Sequence, residues 1–310
     1  MICCSAGQRG GNFPLLYLEQ ARGFSMNINF RQGKPGDAEM CASICYEAFK
    51  AIADRHNFPH DFSDRETALG LLSELLGRED VYSIVAERDR HIVGSNFLWE
   101  NGVIAGVGPI TVEPGVQNSA IGRQLMENVL RRAHERGFVG VRLLQSAYHN
   151  RSLSLYAKLG FNAREPLSNL QGSPIRTEIP DYRVRAANES DLEACNNLCV
   201  RVHGHNRASE LLDAVKDRTA TLVEHDGRIT GYATMIGFFG HAVGESHQDL
   251  KALIGAAPAF LGPGFMVPTR NSELLRWCLE NGLRINQPMT LMSLGLYHEP
   301  AGAFLPSIIY

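Results

Sequence analysis

The sequence lacks a long apolar segment and a strong excess of either charge. No run in the 310 residues approaches the roughly 20 consecutive apolar residues that a membrane-spanning helix needs. The 30 Lys and Arg residues and 33 Asp and Glu residues give a formal net charge of -3 and are spread along the chain. Nothing in this pattern forms the basic stripe typical of nucleic-acid-binding proteins. We therefore expect neither a membrane nor a nucleic acid as a partner.

A disulfide framework is not indicated either. The seven cysteines are an odd number. The apolar patch FPLLYL near the N-terminus is followed at once by Glu19, so it is too short for the core of a signal peptide. We expect a cytoplasmic protein in which residues 1–26 are a disordered or adventitious extension.

Four of the cysteines form two pairs with helical spacing. Cys41 and Cys45, and likewise Cys195 and Cys199, are four residues apart, which places each pair on one face of a helix. Together they could in principle form a four-thiolate metal site. Both pairs also lie in amphipathic patterns, where cysteine serves as a small buried hydrophobe. The second interpretation is favoured, and no metal is predicted.

The composition is that of a folded protein with two domains. Hydrophobic residues make up 44% and charged residues 20% of the chain, and its length suits two domains of roughly 100 to 200 residues. Residues 166–181 contain three prolines without clear periodicity, which predicts a linker. The predicted domains are therefore residues 27–165 and 182–310.

Helix and strand patterns alternate in the first domain, which predicts a mixed α/β fold. An antiparallel meander is expected from VYSIVAE through IVGSNFLWE to VIAGVGPITV. Ser63 and Glu66 fit a capping box for a Leu-rich helix that ends near Gly77. A long helix after the meander ends at Gly137, which suits a left-handed cap.

Two short segments of the first domain recur in the second. IVAERDRHIVG at 84–94 matches TLVEHDGRITG at 221–231, and LRRAHERGF at 130–138 matches LRWCLENGL at 275–283. Both matches occur in the same order along the chain. They suggest an internal duplication.

The segment GVQNSAIGRQL, where the long helix begins, has the composition of an anion site. A helix N-terminus presents unpaired N–H groups and the positive end of the helix dipole. Ala120 and Gly122 are small enough for a phosphate to approach, Asn118 and Ser119 add polar donors, and Arg123 adds a positive charge. An ordinary strand-to-helix loop also favours small residues. The segment lacks both the Gly-Lys-Ser/Thr ending of phosphate loops and the glycine spacing of dinucleotide-binding folds.

A second motif follows the next strand. NRSLSLYAKLGF at 150–161, together with ITVEP and the loop from Gln117 to Gly122, resembles the GNAT acetyltransferase superfamily. Members of this superfamily transfer an acyl group from acyl-coenzyme A to an amine. The resemblance covers about residues 28–165. It implies two tandem GNAT-like domains, each a twisted, mostly antiparallel sheet flanked by helices, with acetyl-coenzyme A as co-substrate.

The resemblance also implies roles for individual residues. Backbone amides of the loop would bind the pyrophosphate of coenzyme A, the strand edge before the loop would pair with the pantetheine arm, and Asn150 would contact the same arm. Tyr156 would stand near the sulfur and act as general acid. The family's first loop glycine is Ala120 here, and we expect a helical φ at Ala120 to tolerate the change. The predicted cofactor-binding residues are Ile110, Thr111, Val112, Gln117, Asn118, Ser119, Ala120, Ile121, Gly122, Arg123, Asn150, Ser152 and Tyr156.

A base must also remove a proton from the attacking amine. Glu100, Glu113 and His149 are candidates, and Glu100 joins Tyr156 as a predicted catalytic residue. Each candidate base could equally be an ordinary exposed loop residue. The N–H of Val112 is expected to meet the oxyanion.

The second domain resembles a degenerate repeat. A register that starts from Arg270 places Glu273 and Leu275 where the cofactor loop needs small residues, so a pyrophosphate would be repelled and blocked. This domain is expected to form a lid or wall of the acceptor pocket at the domain junction. Four large side chains there are more often core than substrate contacts: Trp277, Met289, Met292 and Tyr297.

The leading interpretation is an N-acetyltransferase that acetylates a primary amine of a small molecule or peptide by direct attack in a ternary complex. The alternative is a non-catalytic coenzyme A-binding sensor or scaffold, and a third interpretation is an acyltransferase that uses another acyl donor. An exposed sheet edge would allow a homodimer.

Overall fold

The computed structural model describes residues 28–117 and 119–309. The extension predicted at 1–26 lies outside these residues. The helices are α1 (Ala38–His56), α2 (Arg65–Gly77), α3 (Ile121–Glu135), α4 (Asn150–Lys158), α5 (Leu192–His203), α6 (Ala208–Lys216), α7 (His247–Ala256) and α8 (Ser272–Glu280). The strands are β1 (Ile28–Gln32), β2 (Val81–Arg88), β3 (His91–Trp99), β4 (Ile104–Val107), β5 (Thr111–Val112), β6 (Gly140–Ser146), β7 (Asn162–Gln171), β8 (Arg183–Ala186), β9 (Thr221–His225), β10 (Arg228–Ala233), β11 (Ala242–Gly244), β12 (Phe265–Pro268), β13 (Arg284–Gly295) and β14 (Ala303–Leu305).

Within the described residues these strands form two sheets. The larger has nine strands in the order β1-β2-β3-β4-β6-β13-β7-β12, with β5 paired to β3, and the smaller has five in the order β14-β11-β10-β9-β8. Strands β4 and β6 run parallel, whereas the other pairs of named strands are antiparallel. Helix α3 packs on β2 and β3, and α5 packs on β10 and β11. The predicted mixed α/β class, with mostly antiparallel sheets flanked by helices, is confirmed.

Strand β13 belongs to the second half of the chain but pairs within the sheet of the first half. It lies between β6 and β7, with Met292 opposite Leu143 on one side and Met289 opposite Leu167 on the other. Strand β12 continues the same sheet beyond β7. The two halves therefore share one hydrogen-bonded sheet, in which the second half supplies strands β12 and β13.

The linker predicted at 166–181 is wrong for its first part. Residues 166–171 complete β7 and pair with β13, and residues 167–170 also pair with β12. Pro166 lies just outside the ladder with β12, where its missing N–H is tolerated. Proline frequency was therefore a poor guide to the boundary, because this proline sits at the end of a ladder.

A break in the meander opens the larger sheet next to α3. The predicted strand VIAGVGPITV is divided into β4 and β5. Residues 104–106 of β4 pair with the start of β6, whereas β5 pairs with β3. Strand β5 and the far end of β6 therefore diverge, and the gap between them leads to the N-termini of α3 and α4.

The start of α2 differs from the prediction by one residue. Its N-cap is Asp64, not Ser63, and the Asp64 carboxylate accepts a hydrogen bond of 2.7 Å from the N–H of Thr67. A carboxylate at this position also favours the positive end of the helix dipole, so Asp64 replaces the neighbouring hydroxyl as the cap.

The two cysteine pairs belong to a pattern of four residues that occurs once in each half of the chain. Arg31, Asp37, Cys41 and Cys45 in the first half have the same separations as Arg185, Asp191, Cys195 and Cys199 in the second half. Each arginine binds its aspartate through two hydrogen bonds, of 2.7 and 2.9 Å in the first half and 2.7 and 2.8 Å in the second. All four thiols are buried in apolar clusters. The cysteines are therefore core residues of two similarly built strand-to-helix units.

Two features are absent from the residues that the structure describes. No helix among them is long and apolar enough to cross a membrane. The same residues contain no group of three or more His, Cys, Asp or Glu side chains arranged to hold a metal ion.

Candidate functional site

The N-terminus of α3 is left open by its own sequence. Its N-cap is Ala120, and no side chain accepts a hydrogen bond from the first turn. Ala120 has φ +61° and ψ +2°, a left-handed conformation, so the expected helical φ is wrong. The turn redirects the chain from β5 into α3, and an alanine there is strained by about 1–2 kcal/mol. The backbone amides of the first turn are consequently available to an anion.

The loop before α3 is fastened to both of its neighbours. Gln117 donates from Nε2 to the carbonyl oxygen of Val112 at 3.2 Å, and Arg151 donates to Gln117 Oε1 at 3.1 Å. Ser119 donates to the carbonyl oxygen of Val116 at 2.5 Å. These bonds hold the loop between β5 and α4. Asn118, which was predicted to contact the cofactor, lies outside the described residues.

A cavity of about 330 Å³ lies against this helix N-terminus. Its walls come from α1, β5, the loop, α3 and α4. Among the described residues that line it, the charged side chains are Arg55, Arg123 and Arg151, and none is Asp or Glu. We refer to it as the first cavity. Of the predicted cofactor-binding residues, those that line the first cavity are Ile110, Thr111, Val112, Gln117, Ser119, Ala120, Ile121, Gly122, Arg123, Ser152 and Tyr156.

Glycine at position 122 keeps the first cavity clear. A Cβ added to Gly122 would lie 3.7 Å from Val112 Cγ2 and 3.9 Å from Leu155 Cδ2, which is ordinary contact. An alanine would therefore fit, whereas a longer side chain would extend into the space that faces the helix N-terminus.

Helix α4 places Tyr156 at the inner end of the first cavity. Tyr156 is 6% exposed and packs with Phe161 at a ring-centroid distance of 6.2 Å. Burial raises the pKa of Tyr156 above its ordinary value of 10, so the phenol keeps its proton. Ser152, one turn earlier, donates to Gln145 Oε1 at 3.0 Å. Asn150 begins α4, is exposed and lines neither cavity described here.

A larger cavity of about 670 Å³ lies on the other side of Tyr156, and we refer to it as the second cavity. Both halves of the chain contribute walls, including α1 and α2 from the first and α6 from the second. The residues that line both cavities are Phe49, Ile52, Ile110, His149, Ser152 and Tyr156. The two cavities therefore meet at the candidate general acid.

The charges of the two cavities are opposite. In the described lining of the second cavity, Arg78 is accompanied by five carboxylates: Asp61, Glu74, Glu210, Asp213 and Asp217. The Arg78 guanidinium lies 3.6 Å from Glu74 and 3.8 Å from Asp213, and it binds Asp80 at 2.7 Å. Its charge is thus already balanced. The first cavity suits an anionic ligand and the second a cationic one.

The candidate bases do not lie together. The Glu100 carboxylate accepts bonds of 2.6 and 3.0 Å from Arg132 and lines neither cavity, so we withdraw Glu100 as a catalytic residue. Glu113 also lines neither cavity. His149 lines both. Burial and the charge of Arg151 lower the pKa of His149 to about 4, so its imidazole is neutral and able to accept a proton.

The register of β5 orients the predicted oxyanion donor. Val112 faces Gly94 on β3, and the next residue, Glu113, donates its N–H to the carbonyl oxygen of Val93 at 2.9 Å. In an antiparallel pair this makes Val112 a non-hydrogen-bonded position, so its N–H points away from β3. The Val112 N–H is therefore directed to the side of the strand where the sheet is open.

The corresponding helix in the second half has a closed N-terminus. Asn271 caps α8 by accepting a bond of 3.2 Å from the N–H of Leu274. Glu273 binds Lys251 at 2.7 Å, and Arg270 binds Glu165 at 2.7 Å. A side chain fills the place that an anion would take. The N-terminus of α8 therefore differs from the uncapped N-terminus of α3.

Asp61, which lines the second cavity, and its hydrogen-bond partner Gln287 were missed by the sequence analysis. Asp61 follows α1 and reads as an ordinary loop carboxylate, yet it lines the cavity wall. Gln287 lies in β13, is 2% exposed, and donates from Nε2 to Asp61 Oδ1 at 3.0 Å. The pairing of β13 with the sheet of the first half had no local sequence signal. The position of Gln287 was therefore not accessible to pattern analysis.

Known proteins resemble this chain in sequence over part of its length and in fold over most of it. Residues 46–161 match the family model described as the acetyltransferase (GNAT) family. A protein from Pyrococcus horikoshii, provisionally described as an acetyltransferase, has a solved structure that is 17% identical, with 95% of this chain and 96% of that chain covered and a TM-score of 0.68. A GCN5-related N-acetyltransferase from Sphaerobacter thermophilus is 14% identical, with 88% and 96% covered and a TM-score of 0.59. A search of curated protein sequences found no match.

The two solved structures share the fold over nearly the whole chain, at identities that show the fold alone. The family model covers the open helix N-terminus, α4 and Tyr156. The match to the GNAT acetyltransferase family therefore covers residues 46–161 of the chain.

Proposed function

We propose that the protein is an N-acetyltransferase that binds acetyl-coenzyme A in the first cavity and a primary amine in the second. The observation that carries the proposal is the charge separation between two cavities that meet at Tyr156. Arginines and an uncapped helix N-terminus suit a pyrophosphate, and carboxylates suit a protonated amine. A single binding site of one sign would not explain both linings.

The first cavity would hold the cofactor through the residues on its walls. The amides of Ile121, Gly122 and Arg123 at the start of α3 would donate to the pyrophosphate, and the guanidinium groups of Arg55 and Arg151 lie on the same cavity. The edge of β5 that faces away from β3 would pair with the pantetheine amides. Acetyl-coenzyme A would then supply an activated acetyl thioester at the junction of the cavities.

The ammonium group at the junction must first lose one proton to solvent, because only a neutral amine attacks the thioester. The transfer itself then needs one further proton removed from the nitrogen and one delivered to sulfur. His149, as a neutral imidazole on the wall of both cavities, would take the proton from the amine as its nitrogen bonds to the acetyl carbon. The Val112 N–H would donate to the oxyanion. As the carbon–sulfur bond breaks, Tyr156 would donate its phenolic proton to the departing thiolate. The direct attack requires both substrates in place together.

We further propose that residues 27–165 and 182–310 are related domains and that the second has a structural role in acceptor binding. Helix α6 and the residues around Phe238 line the second cavity, and β13 supplies Met289 to its wall and Gln287 to the hydrogen bond with Asp61. The capped N-terminus of α8 supports the view that one cofactor binds per chain.

The proposal is tested by incubating the purified protein with acetyl-coenzyme A and a panel of primary amines and detecting the acetylated products by mass spectrometry. A gain of one acetyl group on an amine, dependent on the enzyme, is the expected result. Binding of acetyl-coenzyme A without transfer to any amine or peptide would favour a sensor or scaffold.

A further inference from the structure

Asp61 lines the second cavity and is partly buried, and one of its two carboxylate oxygens has no hydrogen-bond partner among the described residues. Asp61 Oδ1 accepts a hydrogen bond from Gln287 Nε2 at 3.0 Å. Asp61 Oδ2 is shielded from bulk solvent and has no hydrogen-bond partner among the described residues. A polar atom in such a place costs on the order of 1–3 kcal/mol unless something binds it. Nearly all buried polar groups in native proteins have a partner, so this oxygen needs an explanation.

Among the described residues, no positively charged group near Asp61 offsets the cost of burying its negative charge. Loss of hydration raises the pKa of Asp61 above its ordinary value, and this effect exceeds the opposing hydrogen bond from Gln287. The charge of His60 opposes it more weakly still, and the His60 ring already lies 2.6 Å from Asp54. A cation beside Oδ2 would provide both the missing hydrogen bond and the missing positive charge.

The other carboxylates of the cavity differ from Asp61. Both oxygens of Glu210 accept bonds from Arg207, at 2.9 and 2.7 Å, which hold the pKa of Glu210 at about 2 despite its burial. Glu74 and Asp213 lie within 4 Å of Arg78, and Asp217 is exposed to solvent. Asp61 is thus the carboxylate of this described lining that has a solvent-shielded oxygen and no cationic partner.

We propose that the acceptor carries two ammonium groups and that Asp61 binds the one that is not acetylated. The inference rests on the proposed function and names its substrate class, a linear aliphatic diamine or longer polyamine. One amine would reach the junction at Tyr156, and the other would donate to Asp61 Oδ2. Apolar side chains of α1 and α2 line the space between these positions, including Phe49, Ile52 and Leu71, and they suit a methylene chain.

The dimensions of the second cavity favour a small molecule over a peptide. Its volume of about 670 Å³ is within the range of about 300–1,000 Å³ typical of small-ligand sites. Walls from both halves of the chain surround it. A diamine is complementary to this lining. Its two ammonium groups suit the carboxylates, and its methylene chain suits the apolar wall.

The test compares α,ω-diamines of three to eight methylene groups with n-alkylamines of the same length, using the full-length protein. We expect the best diamine to exceed its matched monoamine at least about 30-fold in kcat/KM, because an ion pair with a partly buried carboxylate is lost in the monoamine. Asp61→Asn should bring this ratio close to one. Asp226→Asn, at a side chain that is 80% exposed on the β9–β10 turn, is the matched control and should keep the ratio.

Asp61→Glu provides a second variant that retains the charge. It should keep the preference for diamines but move the optimum to a chain about one methylene shorter, since the carboxylate reaches further into the cavity. A purely structural role for Asp61 would not shift the optimal length. Equal rates for diamines and monoamines at every length, or an unchanged ratio in Asp61→Asn, would overturn the inference.

Calorimetry separates this inference from the proposed function. Absence of acetyl-coenzyme A binding would contradict the proposed function. Turnover without any preference for diamines would contradict the present inference alone. If no amine is turned over, direct titration of the diamine series still decides, because binding that requires Asp61 supports the inference and the lack of such binding contradicts it.

Discussion

Gln287 Nε2 and Asp61 Oδ1 are joined by a hydrogen bond of 3.0 Å although the two residues are 226 positions apart in the chain. The contact exists because β13 is inserted between β6 and β7 in the sheet of the first half. Gln287 also accepts a bond of 3.3 Å from the hydroxyl of Tyr148. A residue of the second half thus holds Asp61, which lines a cavity that the first half largely builds.

Replacement of Gln287 tests this arrangement. Gln287→Met keeps a similar volume but removes the donor, so Asp61 loses its orientation and its one protein partner. We expect the KM for the preferred diamine to rise about tenfold, in keeping with the loss of a hydrogen bond to a charged group, with kcat changed less than about threefold. Gln171→Met, near the far end of β7, is the control. A fall in kcat with unchanged KM would show that Gln287 does not act through acceptor binding.

The role of Tyr156 can be separated from cofactor binding. Tyr156→Phe removes the hydroxyl and preserves the packing against Phe161. We expect kcat to fall about a hundredfold or more, the usual contribution of a general acid. The affinity for acetyl-coenzyme A, measured by calorimetry, should stay within a few-fold. Full kcat with any accepted amine would remove Tyr156 from the mechanism.

The strained turn before α3 predicts a stabilising substitution. Ala120→Gly relieves a left-handed conformation that costs about 1–2 kcal/mol for alanine, and it adds about 0.5–1 kcal/mol of backbone entropy to the unfolded chain. The free energy of unfolding, measured by urea denaturation, should therefore increase by about 0.5–1 kcal/mol. Ala120→Val should lower it, because a β-branched residue resists this φ. Loss of stability in the glycine variant would mean that the turn is not left-handed in solution.

Buried histidines predict a decrease in stability on mild acidification. His241 is 1% exposed, and burial, followed by the charge of Arg207, lowers its pKa to about 4. An unfolded histidine has a pKa of about 6.5. Between these two pH values the unfolded chain binds a proton that the folded protein does not, so the free energy of unfolding falls as the pH drops from 6.5 towards 4. Each such residue contributes a slope of at most about 1.4 kcal/mol per pH unit.

Urea denaturation between pH 7 and pH 5 measures this slope above the range where most carboxylates titrate. His241→Gln retains a polar side chain and removes one proton uptake, so its slope should be smaller than that of the parent protein. His91→Gln, at an exposed residue, is the matched control for loss of one imidazole. An unchanged slope in His241→Gln would show that His241 is already protonated in the folded state.

Local patterns predicted the parts of the fold that depend on neighbours in sequence. The hairpin of β2 and β3 follows from alternating apolar residues around the turn at Asp89 and Arg90, and its counterpart of β9 and β10 turns at Asp226 and Gly227. The small residues at the start of α3 follow from the need to leave that helix end open. A further signal was present but missed, since the spacing from Arg31 to Cys45 recurs from Arg185 to Cys199.

Long-range pairing could not be predicted from such patterns. The apolar residues of β13 fit a buried strand in any sheet, so nothing local assigns it to β6 and β7. The contact between Glu100 and Arg132 could not be predicted for the same reason, because the two residues are 32 positions apart. The φ of Ala120 differed because its conformation is imposed by the turn that joins β5 to α3.

The central claim is that one acetyl-coenzyme A binds per chain at the N-terminus of α3. Isothermal titration of the purified protein with acetyl-coenzyme A, beside Gly122→Glu and Gly122→Ala, tests it most directly. The account predicts one site per chain, lost in Gly122→Glu because a carboxylate enters the first cavity, and largely retained in Gly122→Ala because a methyl group fits. Binding that survives in Gly122→Glu, or no binding in the parent protein, would contradict the account.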